Sequence, residues 1–202
     1  MNEKAKTRKG SALVLLAALA WSTMGPLTRK LNTMGLYSFE VSQIRLTTAF
    51  VMIFLFILVV DRRMLKIRLK DVWCFLGTGL CSLLMYCICY FRALESASIS
   101  VVTVLTYMSP VYIMLMSAVL FREKITGKKL LALGLSIGGC VLVSGVLFGI
   151  TGSAKGLLLG LAAGFFYALY SIFAKYAIER GYQSWTILLY TFGLAMVGCS
   201  FL

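Results

Sequence analysis

The stretch GSALVLLAALAWSTMGPLTRKLNTMGLYS, residues 10–38, returns in a related form as GLLLGLAAGFFYALYSIFAKYAIERGYQS, residues 156–184. The two stretches share six identities over 29 positions at a constant offset of 146 residues, among them Gly35 with Gly181 and Ser38 with Ser184. Because apolar sequences match by chance, this repeat alone is weak evidence. If the intervening chain crosses a membrane an odd number of times, the copies face opposite ways, which is typical of inverted-repeat transporters.

The composition indicates a membrane protein. The chain of 202 residues is 60% hydrophobic, with a mean hydropathy of +0.92, which is more apolar side chain than one soluble core of this size buries. The net charge of +13 does not indicate nucleic acid, because the basic residues form short clusters between apolar runs. Histidine is absent and no buried acid–base pair is evident, so we predict no metal site, no cofactor and no enzymatic activity. The six cysteines lie in apolar runs and are predicted to be small buried hydrophobes.

Seven apolar segments are long enough to cross a bilayer, and helices are expected because a helix satisfies its own backbone polar groups. We therefore predict an all-α polytopic transmembrane bundle. Residues 1–149 are predicted to form a first repeat of five helices, and residues 150–202 the first two helices of a second copy. The predicted spans are Ser11–Lys30, Phe39–Val60, Val72–Leu94, Ile99–Phe121, Lys129–Gly149, Gly156–Ile178 and Trp185–Leu202.

The distribution of charge predicts the orientation. With the N-terminus inside, fifteen of the twenty basic residues fall in inner segments and four in outer segments, which obeys the positive-inside rule. The protein is therefore predicted to be a multi-pass protein of the cell (inner) membrane with a cytoplasmic N-terminus. Five spans separate Gly10 from Gly156, so the two copies of the repeat are expected to be inverted.

Two kinds of residue within the spans are unusual for lipid contact. Arg45 is the charge that lies well inside a predicted span, where a cation costs at least about 2.5 kcal/mol at the centre of the bilayer. It either reaches the interface by snorkelling, or faces a cavity where it binds an anionic group of substrate or holds helices together. Pro26 and Pro110 each remove a backbone hydrogen bond. Each is either a structural bend or a bend beside a central cavity.

Aromatic residues complete the predicted cavity. Tyr86 and Tyr90 are four residues apart and so share one helix face, and such aromatics either line a pocket or pack in the bundle. Gly134 and Gly138 have the spacing that lets helices pack closely, which also permits a homodimer. The predicted substrate-cavity residues are Trp21, Pro26, Arg45, Tyr86, Tyr90, Tyr107, Pro110 and Tyr167.

Several motifs follow one another in an order and at a spacing that are fairly specific. They are WSTMGP at 21–26, Arg45, YFRALESA at 90–97, SP at 109–110, LFREK at 120–124, the glycine-rich segment 134–145, and the second glycine-rich start at 156–175. On these residues the chain resembles the EamA family of the drug/metabolite transporter superfamily. The resemblance implies ten helices in two inverted halves of five, and export or exchange of small metabolites.

We therefore expect a secondary transporter of a small polar metabolite, amino-acid-like or another drug or metabolite, that acts as an exporter or exchanger by alternating access. Its expected partners are the lipid bilayer and a small-molecule substrate, without nucleic acid. The second copy has 47 residues where the first has about 146, so the second repeat is expected to be incomplete. The alternative is a truncated or non-transporting membrane protein that acts as an assembly partner or is a remnant.

Overall fold

The structure is a computed structural model that describes residues 15–16, 19, 23, 27, 30–31, 33–35, 38–122, 125–144 and 153–201. Most of the predicted first span, with Trp21 and Pro26, lies outside the described residues. The described residues are α-helical with short 3₁₀ and π segments and contain no β-strand, which confirms the predicted all-α bundle. The α-helices are α1 (Ser38–Val60), α2 (Val72–Leu76), α3 (Met85–Leu94), α4 (Ile99–Thr106), α5 (Ser109–Leu120), α6 (Gly127–Ser144), α7 (Ala154–Glu179) and α8 (Ser184–Cys199).

The chain divides into two compact units, Met1–Ile44 and Arg45–Leu202. Helices α2 to α8 belong to the second unit. Within the described residues, four helical segments are long and apolar enough to cross a membrane, and α8 is a shorter apolar helix of 16 residues. The four segments overlap the second, third, fourth and sixth predicted spans, and they are Phe39–Val60, Leu69–Leu94, Ile99–Leu120 and Ala154–Glu179.

The third span contains a π-helix, Gly77–Leu84, between α2 and α3. Such wide turns inside α-helices often occur at functional positions. Gly77 lets α7 approach, because a Cβ there would lie 2.5 Å from Cδ1 of Phe173. The hydroxyl of Ser82 donates to the Gly77 carbonyl at 2.7 Å, so a polar side chain within the span finds a partner in its own helix. The close packing of this span therefore depends on glycine.

Most of the cysteines whose burial the structure describes are buried, as predicted, and Cys140 lies outside that set. Cys74, Cys87, Cys89 and Cys199 are buried, but Cys81 is exposed, which corrects the expectation that every cysteine lies in the core. Cys81 lies within the π-helix, where the described residues leave it exposed.

The fourth span breaks where Pro110 predicts a bend. Helix α4 ends at Thr106 and α5 begins at Ser109, with Pro110 in the first turn of α5. This is where proline is tolerated, because the first turn needs no backbone donor from it. A Cβ on Gly164 of α7 would lie 2.8 Å from the Leu105 carbonyl oxygen, so the backbone of α7 closely approaches the end of α4. The glycine therefore places α7 directly against the break.

The connections between spans group at two ends. The Ser153 amide donates to the Ser96 carbonyl at 2.9 Å, which joins two connections that the charge distribution assigns to the outer side. At the opposite end, Thr186 of α8 donates to the Met64 carbonyl at 2.9 Å, and Tyr190 donates to the Leu65 carbonyl at 2.7 Å. The contacts thus agree with the grouping of loops that the charges predict.

The aligned glycines of the two repeat copies share an unusual backbone conformation. Gly35 has a φ of +94° and Gly181 a φ of +87°, the left-handed region that favours glycine and commonly follows a helix. Three residues after each glycine, the aligned serines Ser38 and Ser184 begin α1 and α8. The two aligned stretches therefore match in the conformation of this glycine and in the residue that begins the following helix.

Candidate functional site

Tyrosine rings from α3 and α7 meet inside the second unit. The ring centroids of Tyr86 and Tyr167 lie 5.4 Å apart in an edge-on arrangement, and those of Tyr86 and Tyr90 lie 5.6 Å apart. Such distances are typical of favourable aromatic pairs. The two tyrosines of α3 therefore share a face, as their spacing predicts, and that face is turned toward Tyr167.

Two further tyrosines flank Tyr167. Tyr107, in the break between α4 and α5, and Tyr170, one turn further along α7, both lie near it. Tyr107 is 56% exposed and so presents its phenol to the surface of the bundle beside Tyr167. We call these residues the tyrosine cluster, and its members are Tyr86, Tyr90, Tyr107, Tyr167 and Tyr170.

Arg45 of α1 lies near the tyrosine cluster. Its side chain is exposed and lies near Tyr86 and the buried Cys87. Four predicted cavity residues in the tyrosine cluster thus share one region with Arg45. Pro110 is separate, because it lines an apolar groove of about 390 Å³ with residues such as Met114 and Lys129.

The hydroxyls of the tyrosine cluster are not engaged by the described part of the chain. None of the five makes a hydrogen bond with another described residue, and none of their side chains is fully buried. Each phenol both donates and accepts, so together with the Arg45 guanidinium the cluster offers polar groups to a ligand between aromatic rings. Tyr170 is not among the predicted substrate-cavity residues, although its position three residues after Tyr167 places it on a neighbouring face of the same helix.

A second polar cluster lies at the end of the bundle where residues 62–71 meet α8. Asp71, whose side chain is 10% exposed, forms an ion pair with the Arg180 Nε at 3.0 Å. The Tyr182 hydroxyl donates to the second carboxylate oxygen at 2.8 Å and accepts from the Arg68 amide at 3.0 Å. Arg180 also donates to the Cys74 sulfur at 3.1 Å. We call these five residues the Asp71 network.

Burial raises the pKa of Tyr182, and its hydrogen bond to Asp71 and the carboxylate charge raise it further against the opposing bond from the Arg68 amide. Tyr182 therefore keeps its proton and donates it to Asp71. Sequence reasoning missed this network, because no periodicity links Asp71 to residues 109 and 111 positions later. The available signal was an acidic residue, Asp71, directly after the basic Lys70 at the start of a span.

The fold defines an integral membrane protein with several helical spans. A family model described as the EamA-like transporter family matches residues 8–145. This match covers more than half of the chain, and the chain belongs to the EamA-like transporter family. Membership in this family favours transport over catalysis.

A curated relative carries the same indication. An uncharacterized transporter of Archaeoglobus fulgidus is 32% identical over 108 residues, which are 52% of this chain and 37% of that protein. The match thus spans little more than a third of the relative's length. No solved structure matches the chain.

Proposed function

We propose that the protein is a secondary transporter that exports or exchanges a small polar metabolite by alternating access. The observation that carries the proposal is the tyrosine cluster, whose hydroxyls are unengaged by the described residues and whose member Tyr86 lies near Arg45. Because the chain belongs to a transporter family, a cluster of this kind supports transport of a ligand.

The chemistry of the cluster favours a substrate with an anionic group. A guanidinium binds carboxylates and similar anions, phenols exchange hydrogen bonds with polar groups, and aromatic faces contact apolar or cationic portions. An amino-acid-like metabolite combines these features, as do other small drugs and metabolites that carry a carboxylate.

Alternating access requires one end of the bundle to close while the other opens. The Asp71 network supports a closure at its own end, because it ties the connection between α1 and α2 to the connection between α7 and α8. We propose that this end faces the cytoplasm, since it carries the larger share of basic residues. The left-handed glycines Gly35 and Gly181 support the proposal that residues 1–149 and 150–202 belong to two repeats.

Transport assays on vesicles holding the full-length gene product test this proposal. A panel of carboxylate-bearing and carboxylate-free metabolites is measured for uptake and counterflow. We expect a carboxylate-bearing compound to be transported, and Tyr86→Phe or Tyr167→Phe to raise its half-saturation concentration several-fold. Tyr112→Phe is the matched control, because its ring contacts Phe165 outside the cluster.

The role of the Arg45 charge is tested against a second arginine. Arg45→Gln should reduce transport of the carboxylate-bearing compound, while Arg92→Gln should not, since Arg92 pairs with Glu95 at the exposed outer connection. Failure to transport any compound in the panel would contradict the proposal. So would equal effects of the cluster variants and their controls.

One observation favours a second candidate, an assembly partner without transport activity. A Cβ added at Gly134, Gly138 or Gly139 of α6 would meet nothing within 4 Å among the described residues. Small residues at this spacing allow close helix association, including with a second copy of the chain. If Gly138→Leu abolishes a dimer measured by single-molecule photobleaching and the panel shows no transport, this candidate replaces the first.

A further inference from the structure

Residues 62–70, which we call the basic segment, carry five cations within nine positions. Arg62, Arg63, Lys66, Arg68 and Lys70 are all exposed, and in the described part of the chain none of them pairs with a carboxylate. The preceding Asp61 accepts a hydrogen bond from the Arg63 amide at 2.9 Å and offsets one of the charges. Asp71, at the other side, is already bound by Arg180. The basic segment therefore presents a strong positive charge.

The backbone of the basic segment is held in place by α8 and the turn before it. The carbonyls of Met64 and Leu65 accept hydrogen bonds from Thr186 and Tyr190, and the Arg68 amide donates to Tyr182. The segment contains two 3₁₀ turns rather than a long irregular loop. The backbone that carries these cations is thus already ordered, which reduces the entropy lost on binding.

An apolar side chain stands among the cations. Leu69, between Arg68 and Lys70, is 91% exposed and begins the apolar segment Leu69–Leu94. It therefore lies where the span meets the membrane surface. Basic residues beside a span attract anionic headgroups, and an exposed apolar side chain at this depth contacts the acyl chains beneath them.

We propose that the basic segment binds the headgroups of anionic phospholipids in the leaflet that meets this end of the bundle. The position at the end of a span and the exposed Leu69 favour a lipid surface over a soluble acidic protein. The proposal does not depend on transport.

Electron spin resonance with spin-labelled lipids tests the proposal on the full chain in phosphatidylcholine vesicles at low salt. The measured quantity is the preference for spin-labelled phosphatidylglycerol over spin-labelled phosphatidylcholine at the protein surface. We expect the unmodified chain to prefer phosphatidylglycerol. The double variant Arg63→Gln/Lys66→Gln should lower this preference several-fold, because each cation removed accounts for at most about a fivefold change. About 1 M salt should abolish the preference, because it shortens the Debye length to about 3 Å.

The matched control is Arg122→Gln/Lys128→Gln, which removes one exposed cation after α5 and one in the first turn of α6. It should leave most of the preference intact, as should Arg63→Lys/Lys66→Arg, which preserves both charges. Equal binding of the two lipids by the unmodified chain would overturn the proposal, and so would equal losses in the two glutamine variants. If Arg63→Gln/Lys66→Gln fails to fold, persistence of the preference of the unmodified chain at high salt would overturn it independently.

Discussion

The tyrosine cluster and the Asp71 network are both polar regions of the same membrane bundle, but they differ in how their polar groups are satisfied. In the Asp71 network, the Arg180 guanidinium and the Tyr182 phenol both bind the Asp71 carboxylate, at 3.0 Å and 2.8 Å. In the tyrosine cluster, the rings pack at 5.4–5.6 Å while the hydroxyls have no partner among the described residues. A satisfied network stabilises one arrangement of helices, whereas unengaged groups are available to a ligand. We therefore expect the Asp71 network to hold helices together and the tyrosine cluster to bind a ligand.

The largest expected effect is the loss of the buried carboxylate of the Asp71 network. Asp71→Ala leaves the Arg180 guanidinium and the Tyr182 hydroxyl without their acceptor. Removing one partner of a buried pair costs about 3–5 kcal/mol, and the partial exposure of Arg180 lowers our expectation to about 2–3 kcal/mol. The free energy of unfolding in mixed micelles measures the loss.

The exposed ion pair between Arg92 and Glu95 provides the control for that change. Its atoms lie 3.7 Å apart and both side chains are more than 60% exposed. Glu95→Ala should therefore cost less than about 1 kcal/mol. Equal losses of unfolding free energy in the two variants would show that the Asp71 network does not hold the helices together.

A steric change should disturb the tyrosine cluster while leaving the Asp71 network intact. Gly164→Ala places a Cβ 2.8 Å from the Leu105 carbonyl oxygen, so α7 must move away from the break that carries Tyr107. We expect a loss of about 1–3 kcal/mol in unfolding free energy. Gly138→Ala, which meets nothing within 4 Å, should instead stabilise α6 by about 0.5–1 kcal/mol. A neutral Gly164→Ala would contradict the close approach.

Removing single hydroxyls compares the two regions most directly. Tyr182→Phe deletes a donor to Asp71 and should cost about 1 kcal/mol of unfolding free energy. Tyr86→Phe deletes a hydroxyl without a described partner, so its unfolding free energy should change by less than about 0.5 kcal/mol. If both variants lose the same unfolding free energy, the hydroxyls of the tyrosine cluster also hold helices together.

The smallest expected effect is a dependence on alkaline pH. The pKa of Tyr182 is raised from an ordinary value of 10.0, so the folded state favours the protonated phenol. Its contribution to stability is fully present below pH 10.0 and is lost as the pH rises through the raised pKa. The difference in unfolding free energy between the unmodified chain and Tyr182→Phe should therefore be constant below that pH and shrink above it. A difference that grows with pH would reverse the assigned direction.

Much of the architecture was predictable from local sequence. Apolar runs of membrane length predicted Phe39–Val60 to the residue and the other long spans to within a few residues. Pro110 predicted the break in the fourth span, because its missing donor acts on its own helix. The four-residue spacing of Tyr86 and Tyr90 predicted a shared face for the same reason. Each of these features depends on residues within one or two helical turns.

The partners of those features were not predictable in the same way. Tyr167 meets Tyr86, and Arg180 meets Asp71, across separations of 81 and 109 residues that no helical period spans. The glycines illustrate the same limit. Gly164 and Gly138 look alike in sequence, yet one meets a carbonyl and the other meets nothing among the described residues.

The sequence by itself determined that this chain is a helical membrane protein, where most of its described spans begin and end, and which of its loops share an end. The physical reason is that apolar length, proline and charge act locally or on the whole membrane. The tertiary structure alone decided that the Asp71 network is closed and that the tyrosine hydroxyls are unengaged by the described residues. Those outcomes depend on which helices pack together, and packing is set by shape complementarity between segments far apart in the chain.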